Sequence, residues 1–587
     1  MGRHANGQSS HMTYTHPPLP DGYVPARPFW TRQQYECFLK SLPHARFNKW
    51  MEPRTGKSEP TVAKACYYYE RKSHPLHIVG VLIIAFPNGV HRNWITESVP
   101  LAVPQRIRWM GVIWRSDKCR QVSFKRQLND LYRFKGLRFL AVNVEALPGE
   151  DCRKAIGAFM QACGSVMVVM DESSCIAHGD ALRAQIMANI GRARQYVRIL
   201  ENLDGTPVDK NGPLDYWSQV GWMGHDILGY PNEKEFRKRF AVIETKGVST
   251  FWARVAMIRE EKVKRGIDRE LAQEQAIAKA KGEKQGGRSV HKRGRDWWTE
   301  LKTDRGTGMP VFRNMDEIWR KLDGISYRAT FAECFPDAQQ HIYQKRFFQL
   351  TPKQRKVYDD LQQQYIAHAD EVEIKAEHPL TRKLRCQQVT SNYYPGGDML
   401  ELCERCDGNG CEACDWTGVY EKDIPLKIID DATNPRIDAL ELELRYGKPC
   451  VVWCRFRQDV DFVLELALHL GISACRYDGA ANQDQKADSR EGFQAGRYDL
   501  IVGNELSLSR GVPLHRAEVM VGYSNMFSFR TRRQVEERAS HGSKKTATAI
   551  VDLVAEQTVD DEDIIPALRS GMDVSTWVMR DAKRTWI

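Results

Sequence analysis

The five residues Arg54-Thr55-Gly56-Lys57-Ser58 close in the manner of a phosphate-binding loop, Gly-x-x-x-x-Gly-Lys-Ser/Thr. A glycine before the lysine lets backbone N–H groups approach phosphate oxygens where a helix begins. Lys57 would supply charge to the β and γ phosphates of a nucleotide, and Ser58 a hydroxyl for magnesium. Met51 stands where the first glycine of the pattern belongs. Further along, "VMVVMDESS" sets Asp171 and Glu172 at the end of an apolar strand. Open α/β sheets bind ligands beyond the carboxyl ends of their strands. There Asp171 could help hold magnesium and Glu172 could orient or deprotonate an attacking water. A third cluster, "LCERCDGNGCEACDWTGV", carries Cys403, Cys406, Cys411 and Cys414 as two Cys-x-x-Cys pairs. Such pairs point four thiolates at one tetrahedral metal, and Gly408 and Gly410 permit the reversal between them. With all four positions filled by sulfur the zinc would be structural, and Cys386 is an alternative ligand.

The elements that must hold these groups are legible as apolar runs bounded by turns. "GVLIIAF", "LRFLAVN", "VMVVMDE" and "YVRIL" in the first half, with "CVVWCRF", "ISACRYDG", "YDLIVGN", "EVMVGY" and "TAIVDLV" in the second, predict strands buried on both faces. A helix is predicted directly after the loop, in "PTVAKACYYYERK" with Pro60 near its first turn. The fold class is therefore α/β, with two parallel sheets flanked by helices. Between the halves, Val263, Ile267 and Leu271 form a thin apolar stripe on an otherwise charged stretch, predicting a projecting helix. Its basic continuation, Lys279 to Arg305, includes Trp297 and Trp298, which could add charge and stacking toward nucleic acid or simply pack on the body.

The 587 residues are 42% hydrophobic and 27% charged, the profile of an ordinary folded protein large enough for several domains. The longest strongly apolar run, Ile78 to Phe86, is far below the ~20 residues of a membrane span, so no membrane is expected. Lys and Arg outnumber Asp and Glu by 86 to 75, a net +11 compatible with a polyanionic partner. No secretory signal is legible at the polar start, and most of the 15 cysteines lie in apolar segments, as reduced thiols of a cytoplasmic protein do.

Taken in order, the motifs resemble the Swi/Snf-like ATPases of helicase superfamily 2, in particular compact phage and bacterial members, over roughly residues 25–565. "RPFWTRQQYECF" resembles the adenine-reading segment, with Gln33 or Gln34 as reader; "LIIAFPNGVHRNWITE" resembles motif Ia and "LDGTPVDKNGPLDYWSQVGWM" motif III. "KPCVVWCRF" resembles motif IV, the stretch around Gly511 motif V, and "RTRRQVEERASHGSKK" motif VI. The resemblance implies two RecA-like lobes with ATP between them. Lobe one would supply Thr55, Gly56, Lys57, Ser58, Asp171 and Glu172, and lobe two Arg538. It further implies ATP hydrolysis coupled to translocation on duplex DNA gripped through phosphates, without much sequence preference. Candidate DNA contacts are His91, Arg92, Asn93, Asn143, Ser507, Ser509 and Arg510. If phage-encoded, the protein would work in the host cytoplasm.

Some positions depart from that pattern. Met51 and Arg54 replace small residues of the fuller loop, and Asp204 stands where motif III generally has Thr or Ser, which predicts weaker coupling between ATP and DNA. In motif VI the first arginine is Arg538, but the second position holds His541, whose neutral imidazole is no substitute for a guanidinium; Arg533 is a neighbour that could assist. The alternatives left open are a strand-separating or branch-migrating helicase and a nucleic-acid-binding scaffold with a weakened ATP site. The expected division is a flexible N-terminal tail (1–24), lobe one (25–250), a charged helical insertion (251–330), a helical connector (331–399), the zinc knuckle (400–420), which is also a candidate contact for a protein partner, and lobe two (421–587).

Overall fold

The computed structural model describes residues 14–86, 89–177, 181–205, 212–230, 232–246, 290–292, 295–302, 311–339, 341–364, 366–369, 372–375, 379–402, 419–447, 449–509 and 512–574. The chain divides into two compact units, Met1–Cys334 and Phe335–Ile587. Each is a RecA-like lobe built on a parallel sheet.

The first lobe contains β1 (Arg46–Met51), β2 (Gly80–Ala85), β3 (Trp109–Ile113), β4 (Leu137–Asn143), β5 (Val166–Asp171) and β6 (Val197–Leu203). Its sheet runs in the order Ser326–Ala329, β1, β6, β5, β2, β4, β3, with every pairing parallel. Helices cover both faces because successive side chains of the central strands enter different cores. Leu82 and Ile84 join one cluster with Val168 and Met170, while Val81, Ile83 and Ala85 join another with Met167 and Val169. The unbroken apolar runs are what burial on both faces requires.

The second sheet runs Ile342–Phe348, Ala549–Ala555, Val519–Gly522, Cys450–Cys454, Leu500–Asn504, Ala474–Arg476, again all parallel. Val452 and Val502 face one core and Val451, Trp453 and Ile501 the other. The predicted strands of both halves are present.

Four features differ from the sequence reading. Leu19 and Tyr23, within the stretch read as a flexible tail, are buried in the first lobe's core because their side chains join the cluster that includes Phe38 and Tyr67. Strand Ser326–Ala329, within the stretch read as an insertion, pairs with β1, and the helix Met315–Asp323 before it buries Ile318 and Leu322 in the first lobe's core. Strand Ile342–Phe348, within the stretch read as a helical connector, forms the edge of the second sheet. Residues Arg295–Leu301, which carry Trp297 and Trp298, form a strand paired antiparallel with Ile243–Lys246 and Val290–Lys292; aromatic and β-branched residues favour extended backbone over the helix that surrounding charge suggested. The stripe Val263, Ile267 and Leu271 lies outside the described residues. So do Cys403, Cys406, Cys411 and Cys414, although the strands on either side of them, Tyr393–Leu402 and Val419–Lys427, pair so that Leu402 is opposite Val419.

Candidate nucleotide-binding site

The loop Glu52–Lys57 joins β1 to α2 (Ser58–Glu70), so it leaves the carboxyl end of a strand and opens a helix. Two of its residues are left-handed. Gly56 has φ +77, and Arg54 has φ +67, a conformation that costs a residue with a side chain roughly 1 kcal/mol or more. Thr55 is buried and closes the turn by donating its hydroxyl to the Glu52 carbonyl at 2.7 Å.

The loop is braced from α1 (Arg32–Ser41). Thr31 and Gln34 form a reciprocal cap at the start of this helix. The Gln34 amide oxygen accepts from the Trp30 and Thr31 N–H groups, and its nitrogen donates to the carbonyls of Thr55 (3.1 Å) and Gly56 (3.3 Å). A Cβ on Gly56 would lie 2.2 Å from that nitrogen, so glycine is demanded here by close approach as well as by φ. Gln34 is thus a positioning residue for the loop, with its amide committed to backbone partners. Gln33, half-buried, donates to the Glu333 carbonyl at 2.7 Å.

Asp171 ends β5, and its carboxylate accepts from Trp94 Nε1 at 2.9 Å. Burial raises its pKa above the usual carboxylate range, while the nearby Lys57 ammonium acts in the opposite direction and the charge of Asp204 adds to the rise. The Ser58 hydroxyl is 3.4 Å from that of Ser98. Glu172 follows with φ +59 and ψ +58, a left-handed non-glycine residue at the head of the turn Ser173–Ile176. That turn is tied to the end of β6: Asp204 accepts from the Ser174 N–H at 2.6 Å and from the Ser173 hydroxyl at 3.3 Å, and the same hydroxyl reaches Gln219 Oε1 at 3.3 Å. Gly205 then packs on the loop itself, since a Cβ there would meet Pro53 Cδ at 2.6 Å. The acidic residue at position 204 is therefore a physical link between the Asp-Glu turn and the third motif. A glycine cradle, a lysine and a buried carboxylate so placed fit a nucleotide phosphate with a divalent cation.

Beneath the loop lies a charged cluster that sequence reasoning missed. Lys49 of β1, Lys64 of α2 and Glu201 of β6 are all fully buried, with both ammonium groups on the one carboxylate. Lys64 also donates to the carbonyls of Ser41 (2.7 Å) and His44 (2.8 Å), and Lys49 to the Thr61 hydroxyl (3.0 Å). Burial holds the Lys64 pKa down at about 8 against the attraction of Glu201. The available signal was a charged residue inside a strand, Lys49 in "RFNKWM" and Glu201 in "VRILENL".

Of the candidate DNA contacts, Arg92 is exposed and Asn93 half-buried. His91 points inward: its Nε2 lies 3.2 Å from the Trp114 carbonyl, its Nδ1 accepts from the Gly89 N–H, and burial lowers its pKa. Asn143 is buried at the end of β4, with its amide 3.4 Å from Glu145. In the second lobe Ser507 is half-buried, with its N–H donating to Asn504 Oδ1, and Ser509 is buried with its hydroxyl on the Leu506 carbonyl. Arg510 and Gly511 lie outside the described residues.

Arg538 follows the helix Phe529–Glu537 and donates through Nε and Nη2 to the Ser509 carbonyl at 3.0 and 2.8 Å, which ties the fifth motif to the sixth. His541 stacks on His515 with ring centroids 4.7 Å apart, and its Nδ1 lies 2.6 Å from the Ser543 hydroxyl. Arg533 pairs with Glu537 one turn along. Arg532, in contrast, is buried in the core, paired with Asp552 at 2.6 Å and stacked over Trp453. Among the described residues no group of three or more His, Cys, Asp or Glu is arranged to hold a metal, and no helix is long and apolar enough to cross a membrane.

Residues 435–542 match the family model described as "Helicase conserved C-terminal domain". No curated protein matches the chain. Among solved structures, the chain is similar to the Sulfolobus solfataricus SWI2/SNF2 ATPase core in complex with dsDNA, at 13% identity over 94% of this chain and 93% of that one, with a TM-score of 0.32. It is likewise similar to the Sulfolobus solfataricus SWI2/SNF2 ATPase core domain, at 14% identity over 97% and 92%, again with a TM-score of 0.32.

Proposed function

We propose that the chain is a DNA-dependent ATP hydrolase that uses the hydrolysis to move along duplex DNA. The observation that carries this reading is the loop Glu52–Lys57, braced by Gln34 and set so that the Lys57 ammonium acts on the buried Asp171 carboxylate. The helicase C-terminal match over residues 435–542 supports the motor part of the reading.

In this mechanism backbone N–H groups of the loop and the Lys57 ammonium hold the phosphates. Ser58 and Asp171 would hold magnesium, which when bound offsets phosphate charge. Glu172 orients the attacking water and accepts its proton. Trp94 fixes the Asp171 carboxylate, and Asp204 fixes the turn that presents Glu172. Arg538 is the cation expected from the second lobe. Arg92 and Asn93 are the first-lobe contacts to DNA phosphate, and affinity should fall steeply with salt.

The test is phosphate release with and without duplex DNA, for the wild type beside Lys57→Ala and Glu172→Gln. DNA stimulation that disappears in both variants is the expected result. Release at one background rate in all three proteins would overturn the enzymatic reading and leave a nucleic-acid-binding scaffold. Displacement of a third strand from a triplex, without opening of a fork, would separate translocation from strand separation.

A further inference from the structure

The first lobe has a second feature suited to a phosphorylated ligand, at the pole opposite the nucleotide loop. Val79 and Gly136 immediately precede β2 and β4, and between them opens a cavity of about 480 Å³. The loop Glu52–Lys57 and Asp171 lie at the other ends of the same parallel sheet, so a strand's length, about 20 Å, separates the two places. The volume is that of an ordinary small-ligand site.

The lining has two components. One is cationic: Lys72, His77, Arg133, Lys135 and Arg138, with no carboxylate among the lining residues. The other is aromatic: Tyr69, Tyr132 and Phe134. Cations at this pole could serve only to offset the carbonyls of the helix ends that converge on it. That task is already performed by inner groups. Arg138, 8% exposed, donates through Nη1 to the carbonyls of Tyr132 (2.8 Å) and Ala162 (3.1 Å), and His77 Nδ1 donates to the Tyr68 carbonyl (2.9 Å). Lys72, Arg133 and Lys135 are exposed and form no ion pair among the described residues. They are surplus to the capping. Phe134 is held in place by shape: a Cβ on Gly136 would lie 2.4 Å from its ring and 2.5 Å from the Arg108 carbonyl, so only glycine lets the ring cover this turn.

We propose that this cavity binds a phosphate ester bearing an aromatic base, with Lys72, Arg133 and Lys135 on the phosphate and the Tyr69, Tyr132 and Phe134 rings against the base. Cations meet the charge, and aromatic faces stack on any base without sequence preference. The ligand is either a free nucleotide or one nucleotide of a single strand, and the site does not depend on the ATPase reading.

The experiment uses the full chain, wild type and a Lys72→Ala/Arg133→Ala/Lys135→Ala variant whose exposed positions leave the fold intact, with unfolding temperature as the control. A 5-iodouracil-containing oligothymidylate and 8-azido-AMP are photo-cross-linked separately, and the modified peptides are mapped. A cross-link at Tyr69, Tyr132 or Phe134 from either probe, lost in the variant, supports the site, and the probe that reacts identifies the source. For the oligonucleotide the variant should bind about tenfold more weakly at low salt, with its salt slope reduced by about 2, the share of three single-strand phosphate contacts. The proposal is overturned if neither probe reacts with these peptides, if the variant cross-links as the wild type does, or if polyglutamate displaces the oligonucleotide as well as unlabelled oligothymidylate does.

Discussion

Replacing Glu201 by Gln tests how β1, α2 and β6 are held together. Glu201 is the single carboxylate between the ammonium groups of Lys49 and Lys64, and all three side chains are fully buried. With it in place the cluster already carries one surplus positive charge, and the cost is visible in Lys64, whose pKa falls from 10.5 to about 8, chiefly through burial. That displacement corresponds to about 3 kcal/mol at 1.36 kcal/mol per unit. Removing the carboxylate charge leaves two uncompensated cations, for which about 3–5 kcal/mol of lost stability is expected. The loss should depend on pH. Lys64 binds its proton less well folded than unfolded, so in the wild type stability rises with pH between about 8 and the unfolded value and is flat below that window. In the variant the folded pKa falls further and the window opens at lower pH, so the gap from wild type narrows as pH rises to about 8 and is constant above it. Denaturant titration with hydrogen exchange on the α2 peptide, Ser58–Glu70, isolates the first lobe's transition. A loss below about 1 kcal/mol at neutral pH, or a gap that does not narrow between about pH 6 and 8, would refute the reasoning.

Gly56→Ala should abolish ATP binding by equilibrium dialysis, because its Cβ would sit 2.2 Å from Gln34 Nε2 at a φ of +77; Gln34→Ala should weaken binding and protect the loop less in hydrogen exchange. Asp204→Ala removes the acceptor that holds Ser173 and Ser174, so stability should fall by about 2 kcal/mol and kcat should fall with little change in KM for ATP. Arg538→Ala should lower DNA-stimulated turnover by about 10³-fold, whereas His541→Ala should change it by less than tenfold; equal effects would place the function elsewhere. For the four-cysteine segment, one zinc per chain by metal analysis is expected, lost on Cys403→Ser/Cys406→Ser.

The skeleton could be read from the sequence because strands buried on both faces leave an unmistakable trace: "VLIIA" and "VMVVMD" have no alternation to misread, and each ends in a turn. The strands that were missed are the ones for which that trace fails. Ile342–Phe348 is an edge strand with six of its seven residues exposed, so "IYQKRFF" has no burial pattern to declare it. Ser326–Ala329 is only four residues long and acquires its identity from pairing with β1, almost 280 positions away. At the candidate site, Asp171 and Glu172 could be placed at the end of β5 because an unbroken apolar run precedes them, and Lys57 before a helix because Gly56 and Pro60 mark its start. Their neighbours were not, since Gln34, Trp94, Lys49 and Glu201 are ordinary residues until the fold brings Gln34 to the loop, Trp94 to Asp171, and Lys49 to Glu201.

Asp204 stands where the resemblance implies Thr or Ser. Judged by residue type, an acid in place of a hydroxyl predicts weakened coupling. In the fold that acid holds the turn behind Glu172 through a 2.6 Å hydrogen bond to a backbone N–H, a stronger tether than a neutral hydroxyl makes. Burial raises the Asp171 pKa, the Lys57 ammonium opposes that rise, and the Asp204 charge adds to it. The loop, the acidic turn and the third motif are thus joined by charge as well as by packing, with Gly205 seated against Pro53. The turn that follows Glu172, the end of β6 and the loop Glu52–Lys57 are in direct contact through Asp204 and Gly205.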